Sequence, residues 1–160
     1  MIEHRLVLGQ TLDRAQLGQS LRRREVRRFD DLEAFRARPA LRAFGGLTNK
    51  MPGRIGDTSI VGAGVYANDT TCAVSSTGTG EHFIRGCIAY DVHARMRYLA
   101  HDVTRAAGDS IVECLQPLGG RGGVIAVGRD GQIAMPFNSP GMYRAWIRDG
   151  ALPQAAVFAA

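Results

Sequence analysis

The stretch GGLTNKMPGRIGD, residues 45–57, is the part of this 160-residue chain on which the fold depends. A second glycine-rich loop, STGTGE, follows at residues 76–81. The first loop carries Arg54 and Asp57, and the two loops flank two short β-like runs. Backbone donors and one charge of each sign can therefore converge between the loops. We interpret this pattern as a cradle for a small zwitterionic molecule.

The composition indicates one globular domain. With 45% hydrophobic residues, the chain can bury a core and lacks the composition of a disordered protein. No apolar run reaches the roughly 18 residues that a membrane span needs. The start, Met-Ile-Glu-His-Arg, lacks the basic-then-apolar layout of a secretory signal. We therefore expect a cytoplasmic protein without a membrane partner.

The three cysteines are an odd number and are widely spaced in apolar surroundings, at Cys72, Cys87 and Cys114. This pattern argues against a disulfide framework and against a zinc cage. We expect buried free thiols, with no metal and no cofactor.

The first 44 residues differ in kind from the rest, because they hold two of the 20 glycines and the arginine-rich run Arg22–Arg28. Apolar residues between Leu17 and Phe35 recur at roughly helical spacing, which predicts one or two helices. The arginine run has two interpretations, a phosphate-contacting surface or a solvated helix face. We favour the solvated face, because no aromatic platform accompanies it, and expect no nucleic-acid partner.

The glycine-rich part predicts strands at Ile60 to Ala67 and Cys72 to Ser76, joined by a turn at Asn68-Asp69. Gly62 and Gly64 predict a bulge or a close backbone approach within the first strand. A helix capped by Thr79 should follow, with Glu81 in its first turn. Its apolar stripe is predicted to comprise Ile84, Ile88, Val92, Met96 and Leu99.

A second helix is predicted to start after Asp102 and to stop at Pro117 and Gly119-Gly120. Its inward residues should be Val103, Ala107, Ile111 and Leu115. A hairpin is predicted next, with strands Val124 to Val127 and Ile133 to Phe137 around Arg129-Asp130-Gly131, then a strand from Met142 to Trp146. Strands, two consecutive helices and further strands predict an α+β fold rather than a parallel βαβ fold.

The residues alone leave the chemistry open. Gly78-x-Gly80 before a helix suits an anion, but the spacing matches neither a dinucleotide fingerprint nor a phosphate loop. Arg54 offers a planar fork for a carboxylate, and Asp57 can accept from an ammonium. A local ion pair between Arg54 and Asp57 is an equally good interpretation of the spacing.

Several long motifs occur in a distinctive order: GGLTNKMPGRIGD at 45–57, VGAGVYA at 61–67, STGTGE at 76–81, GGRGG at 119–123, PFN at 136–138 and GMYRA at 141–145. Together they closely resemble the plant-type asparaginases, also called isoaspartyl peptidases. The resemblance runs from Gly45 to about Trp146 and corresponds to the C-terminal β subunit of that family.

The resemblance implies an N-terminal-nucleophile hydrolase with a four-layer αββα sandwich, of which this chain would form the β-subunit half. Such enzymes cut themselves, so that a threonine becomes the first residue of the β subunit, with its own amine as base. They hydrolyse L-asparagine and β-aspartyl dipeptides through an acyl-enzyme. An α subunit and an (αβ)2 assembly are implied as partners.

The motifs also imply roles for individual residues. Arg54 would hold the α-carboxylate of the substrate, and Asp57 would hold its α-ammonium. Thr77 and the amide of Gly78 would stabilise the oxyanion, and Gly80 would line the same pocket.

The chain departs from the family before Gly45. Aligned without gaps, Val26 falls at the position of the nucleophilic threonine and Phe44 at the last of a later run of hydroxyl residues. Valine has no hydroxyl, so the catalytic nucleophile is absent there. We therefore divide the chain into a non-family segment, 1–44, and a β-subunit-like domain, 45–160.

Three accounts of this departure stay open. We prefer a truncated or frame-shifted family member that is inactive. The second account is a binding protein that recognises aspartyl or asparaginyl groups without turnover. The third treats residues 1–44 as a nucleic-acid-binding addition. Loss of central strands would also expose sheet edges and an apolar face, so we expect marginal stability in the isolated chain.

Overall fold

The computed structural model describes residues 6–9, 51–148 and 151–158, and the helices predicted between Leu17 and Phe35 lie outside these ranges. The strands are Leu6–Gly9 (β1), Val65–Ala67 (β2), Cys72–Gly78 (β3), Gly122–Gly128 (β4), Ile133–Ala134 (β5), Arg144–Ile147 (β6) and Gln154–Ala156 (β7). The α-helices are Gly80–Gly86 (α1), Ile88–Leu99 (α2) and Val103–Asp109 (α3). A π-helical turn, Ser110–Leu115, and a 3-10 turn, Gln116–Leu118, extend α3, and a separate 3-10 turn spans Asp57–Ser59.

The strands form two antiparallel sheets. One has the order β2-β3-β4-β5 and the other has the order β1-β6-β7. Every pairing between these strands is antiparallel. This arrangement of antiparallel sheets and consecutive helices confirms the predicted α+β class. None of the helices within the described ranges is long and apolar enough to cross a membrane.

The core lies between the four-stranded sheet and the helices, because α2 packs on β3, α3 packs on β4 and β5, and the π-helical turn packs on α2. Burying one large aliphatic side chain contributes about 1.5 to 3 kcal/mol. The core cluster comprises Cys72, Val74, Phe83, Ile88, Ala89, Val92, Val103, Ala106, Ala107, Ile111, Leu115, Val124, Ala126 and Ala134. All four residues predicted to point inward from the second helix belong to it.

The prediction of a single helix after Gly80 is wrong, because the chain forms two helices that meet at Cys87. Cys87 has a φ of 46°, in the left-handed region that ends a helix. The break interrupts the helical periodicity, so the apolar residues that were predicted to form one stripe do not all lie on the same face. Ile84 is 37% exposed and Leu99 is 58% exposed, whereas Ile88 and Val92 are fully buried.

The strand predicted from Ile60 begins only at Val65. The amides of Ala63 and Gly64 both donate to the carbonyl of Ile60, at 3.1 Å, which closes a turn where the strand was expected. Gly62 has a φ of 90°, which favours glycine, and its carbonyl accepts from the amide of Tyr90 at 2.8 Å. The predicted close backbone approach at Gly62 is therefore confirmed, and it is made with the start of α2.

The predicted hairpin is confirmed as β4 and β5, with Gly131 at a φ of 83° in the turn. Its second strand is short, because beyond Ala134 the ladder continues only as an isolated bridge between Gly123 and Phe137. The last predicted strand is confirmed as β6, starting at Arg144. Strands β1 and β7, which flank β6, were not predicted.

A buried histidine joins the sheet to α2. His93 is 3% exposed, and its Nδ1 lies 2.6 Å from the Oγ1 of Thr71. The rings of Tyr66 and Tyr90 lie 4.9 and 5.4 Å from the imidazole. Burial, and secondarily the positive charge of Arg97, lowers the pKa of His93 below its usual value of 6.5.

This lowered pKa predicts a loss of stability in acid. The unfolded chain binds a proton at His93 more readily than the folded chain, so this contribution is complete above about pH 6.5 and is lost as the pH falls towards the folded pKa. Urea unfolding at pH 7.5 and pH 5.5 measures the loss. His93→Gln should reduce the difference in the free energy of unfolding between the two pH values, whereas His82→Gln should leave that difference unchanged. An unchanged difference in His93→Gln would exclude this origin.

Candidate functional site

The two glycine-rich loops meet through an ion pair. The amide of Arg54 donates to the carbonyl of Met51 at 3.1 Å, in a turn that contains Gly53 at a φ of 82°. The Nη2 of Arg54 lies 3.2 Å from the Oε2 of Glu81, in the first turn of α1. The side chain of Arg54 is 35% exposed, so the guanidinium stays accessible from solvent. The acidic partner that the structure gives Arg54 is thus Glu81, three residues beyond Gly78.

Asp57 is buried against the start of α1. It is 3% exposed and is the first residue of the 3-10 turn that contacts both β3 and α1. A Cβ added to Gly80 would lie 2.8 Å from the Oδ1 of Asp57 and 3.1 Å from its amide nitrogen. The absence of a side chain at Gly80 therefore provides the space that the Asp57 carboxylate occupies.

Thr77 and Gly78 end β3, opposite the start of β4. Thr77 is 8% exposed, and its Oγ1 has no hydrogen-bond partner among the described residues. Gly78 is paired with Gly122, and these two have φ values of 148° and 146°. A Cβ on Gly78 would lie 2.2 Å from the carbonyl oxygen of Arg121. Only glycine fits at these two positions, and the close approach fixes the backbone beside the Thr77 hydroxyl.

Thr79 links the two strand ends rather than capping α1. It occupies the N-cap position but makes no side-chain cap hydrogen bond, which corrects the prediction. Its Oγ1 instead accepts from the amide of Arg121 at 2.9 Å and lies 3.2 Å from the carbonyl of Arg121. The backbone amide of Thr79 donates to the same carbonyl at 2.9 Å. The hydroxyl is drawn to the neighbouring strand because the Gly78 and Gly122 pair brings Arg121 so close.

Asn138 holds the other side of this strand end. Its Oδ1 accepts from the amide of Gly122 at 2.9 Å, and its Nδ2 donates to the carbonyl of Gly120 at 2.9 Å. Its own amide donates to the carbonyl of Gly122 at 2.9 Å. The sequence predicted no role for Asn138, although it stands in PFN, one of the motifs that carry the family resemblance.

The candidate site therefore offers a planar cation, a buried carboxylate and a buried hydroxyl that lie near one another in the fold. An arginine fork suits a carboxylate, and an aspartate suits an ammonium, so this set is chemically matched to a zwitterion. Within the residues that the structure describes, no group of three or more His, Cys, Asp or Glu side chains could hold a metal ion.

A separate cavity of about 180 Å³ lies at the opposite end of β3. Its lining includes Asn68, Thr71 and Arg129. Strand β3 runs from Cys72 beside this cavity to Gly78, and seven residues of strand span roughly 20 Å. The cavity is therefore distinct from the region of Arg54 and Thr77.

The comparison with protein families identifies the class of the chain. A family model described as Asparaginase matches residues 43–157. The chain belongs to the asparaginase family, a class of N-terminal-nucleophile hydrolases, and the resemblance seen in its motifs is confirmed.

The individual relatives are named isoaspartyl peptidases. That of Salmonella typhimurium is 52% identical over 114 residues, covering 71% of this chain and 36% of the relative. That of Escherichia coli is 50% identical over 114 residues, with coverage of 71% and 36%. The isoaspartyl peptidase/L-asparaginase of Bos taurus is 37% identical over 108 residues, with coverage of 68% and 35%. The chain thus spans about a third of the length of these curated relatives.

The close approach at Gly122 predicts the effect of one methyl group. In Gly122→Ala the Cβ would lie 2.1 Å from the carbonyl oxygen of Thr77, at a φ that disfavours alanine. We expect a loss of about 2 to 4 kcal/mol in the free energy of unfolding, measured by urea titration.

Gly108→Ala is the matched control for this substitution. Gly108 lies inside α3, and no atom is within 4 Å of its added Cβ. Alanine there should be neutral or should stabilise the chain by up to about 1 kcal/mol. Equal effects of the two substitutions would contradict the steric explanation.

Proposed function

We propose that this chain carries the substrate-binding half of an amidohydrolase that acts on L-asparagine and β-aspartyl dipeptides. The observation that carries the proposal is the grouping of Arg54, buried Asp57 and buried Thr77 around the junction of β3 and α1. The names of the relatives, isoaspartyl peptidase and L-asparaginase, support the same substrate class.

In this proposal each charged end of the substrate has one partner. Arg54 binds the α-carboxylate through the part of its fork that Glu81 leaves open, and Asp57 binds the α-ammonium. Gly80 keeps the Asp57 carboxylate at the pocket wall, since any side chain there would displace it. These contacts fix the head of the substrate and direct its side-chain carbonyl away from them.

The hydroxyl of Thr77 and the amide of Gly78 then stabilise the negative charge that develops on the side-chain carbonyl oxygen. This role suits Thr77 because its Oγ1 is buried and has no partner within the described residues. The glycine pair at Gly78 and Gly122 holds this backbone rigidly, so the donors need little reorganisation during the reaction.

The chemical step needs a nucleophile that these residues do not supply. In the family it is a threonine that attacks the side-chain carbonyl, with its own amine as base, and Val26 stands at the aligned position here. We therefore propose that the chain binds without turnover by itself. A complete four-layer αββα sandwich with an α subunit and (αβ)2 assembly belongs to the same proposal.

A second candidate function is a non-catalytic binding protein for aspartyl or asparaginyl groups. It is favoured by one observation: Arg54, Asp57 and Thr77 are all present, whereas valine stands at the nucleophile position. The division of the chain at Gly45, with an aberrant segment before it, fits this candidate as well as a truncated or frame-shifted enzyme.

A cytoplasmic location is supported by the free state of all three cysteines.

Ligand binding and hydrolysis test the proposal together. Calorimetry with aspartate should show binding that weakens about 10- to 100-fold in Arg54→Ala, because a charge-assisted hydrogen-bond pair is lost. Arg85→Ala removes the same charge from an exposed position in the last turn of α1 and should leave binding within about twofold. Aspartate release from asparagine or a β-aspartyl dipeptide should be absent. Release at the rate of an intact family member would overturn the assignment of the missing nucleophile.

The isolated chain is also expected to be marginally stable. Short edge strands β2 and β5 border the four-stranded sheet, and the chain spans about a third of its relatives. Thermal unfolding should be broad, with association visible by light scattering. A sharp cooperative transition in a monodisperse sample would contradict this expectation.

A further inference from the structure

The glycine pair at the end of β3 is a non-hydrogen-bonded pair of the antiparallel ladder. Gly78 stands opposite Gly122, and the bond that flanks them joins the amide of Thr79 to the carbonyl of Arg121 at 2.9 Å. In such a pair the backbone polar groups of both residues point away from the partner strand. The amide of Gly78 therefore points away from β4, and the backbone groups of Gly122 point to the far edge of β4.

Asn138 supplies the partners at that far edge. Its side chain accepts from the amide of Gly122 and donates to the carbonyl of Gly120, each at 2.9 Å. Its own amide donates to the carbonyl of Gly122, also at 2.9 Å. Gly120 and Gly122 are both buried, so a lost bond would leave a buried backbone group unsatisfied. Asn138 thus fixes the start of β4 from the side that faces away from β3.

The start of β4 in turn restricts Thr77 and Gly78. A Cβ built on Gly78 falls 2.7 Å from the Cα of Gly122, and one built on Gly122 falls 2.1 Å from the carbonyl oxygen of Thr77. Contacts this close leave no free space between the two strands. A shift of Gly122 towards β3 would displace this backbone, and a shift away from β3 would leave it room to move.

We propose that Asn138 is a positioning residue for Thr77 and Gly78, the donors of the proposed oxyanion site. This inference rests on the proposed function and deepens it, since it identifies what holds those donors in place. Asn138 acts through Gly122 rather than through the ligand. Its loss should weaken the contact with the side-chain carbonyl of asparagine and spare the binding of the two charged groups of the ligand.

The experiment compares two ligands that share the same charged groups. L-Asparagine has a side-chain carboxamide, and L-2-aminobutyrate has a methyl group in its place. Calorimetry with the 160-residue chain gives the ratio of their dissociation constants. A general loosening of the fold would weaken both ligands alike, because both use the same charged contacts, and would leave the ratio unchanged. The ratio therefore separates a positioning role from a merely structural one.

Three variants test the role of Asn138. Asn138→Ala removes both side-chain bonds, whereas Asn138→Asp keeps the acceptor for the amide of Gly122 and removes the donor to the carbonyl of Gly120. Asn68→Ala is the matched control at the opposite end of β3. The Oδ1 of Asn68 also accepts from a backbone amide, that of Thr70 at 2.9 Å.

We expect the unaltered chain and Asn68→Ala to bind asparagine about three- to tenfold more tightly than aminobutyrate. This preference should fall to about twofold or less in Asn138→Ala, and to an intermediate value in Asn138→Asp, because one of the two side-chain bonds remains. If Asn138→Ala does not fold, the fall in Asn138→Asp carries the test.

A preference that survives in the variants of Asn138, or that falls equally in Asn68→Ala, would overturn the role of Asn138, while binding of asparagine itself upholds the proposed function. Equal binding of the two ligands by the unaltered chain would overturn the oxyanion site together with the role of Asn138. Absence of binding of either ligand to the unaltered chain would overturn the proposed function as well.

Discussion

The close approach of β3 and β4 at Gly78 and Gly122 is the constraint on which the rest of the site depends. Their Cα atoms occupy space that a side chain on either residue would need. Because the strands lie so close, Arg121 comes within reach of Thr79, and Asn138 ties the same strand end from the other side. The chain can then leave β3 and enter α1 at Gly80, with Asp57 beneath it. One glycine pair thus positions residues that are far apart in sequence.

The sequence predicted the parts of this fold that depend on local patterns. Asp102 begins α3, and its carboxylate accepts from the amide of Arg105 at 2.8 Å, as the start signal indicated. The turn around Gly131 and the inward face of α3 were predicted correctly for the same reason. By contrast, the helix break at Cys87 was missed, because Gly86 precedes it but the residue that takes the left-handed conformation is the cysteine. Strand β1 pairs with β6, well over 100 residues later, and no local pattern predicts such a partner.

The candidate site divides in the same way. The sequence pointed to Arg54 and Asp57 through their charges, and to Thr77 through the family resemblance. The tertiary contacts beside them were not predicted, since Thr79 was predicted to cap the helix while its hydroxyl contacts Arg121, 42 residues away. Glu81 was likewise read as a favourable first-turn acid, although its carboxylate also faces Arg54. Propensity rules describe what a side chain can do nearby, and tertiary contacts decide which option it takes.

The two charged groups of the candidate site, Asp57 and Arg54, differ strongly in how far the surrounding structure restricts their side chains. Asp57 is almost fully buried against backbone, so moving its carboxylate would require displacement of α1 or β3. Arg54 stands on an exposed loop, and its side chain meets Glu81 in contact with water. In the proposed function, the entropy cost of binding a zwitterion is therefore concentrated in the Arg54 side chain, because Asp57 is already fixed. In the proposed function, the fixed Asp57 carboxylate keeps the ammonium in register with Thr77, while the Arg54 side chain adjusts to the α-carboxylate.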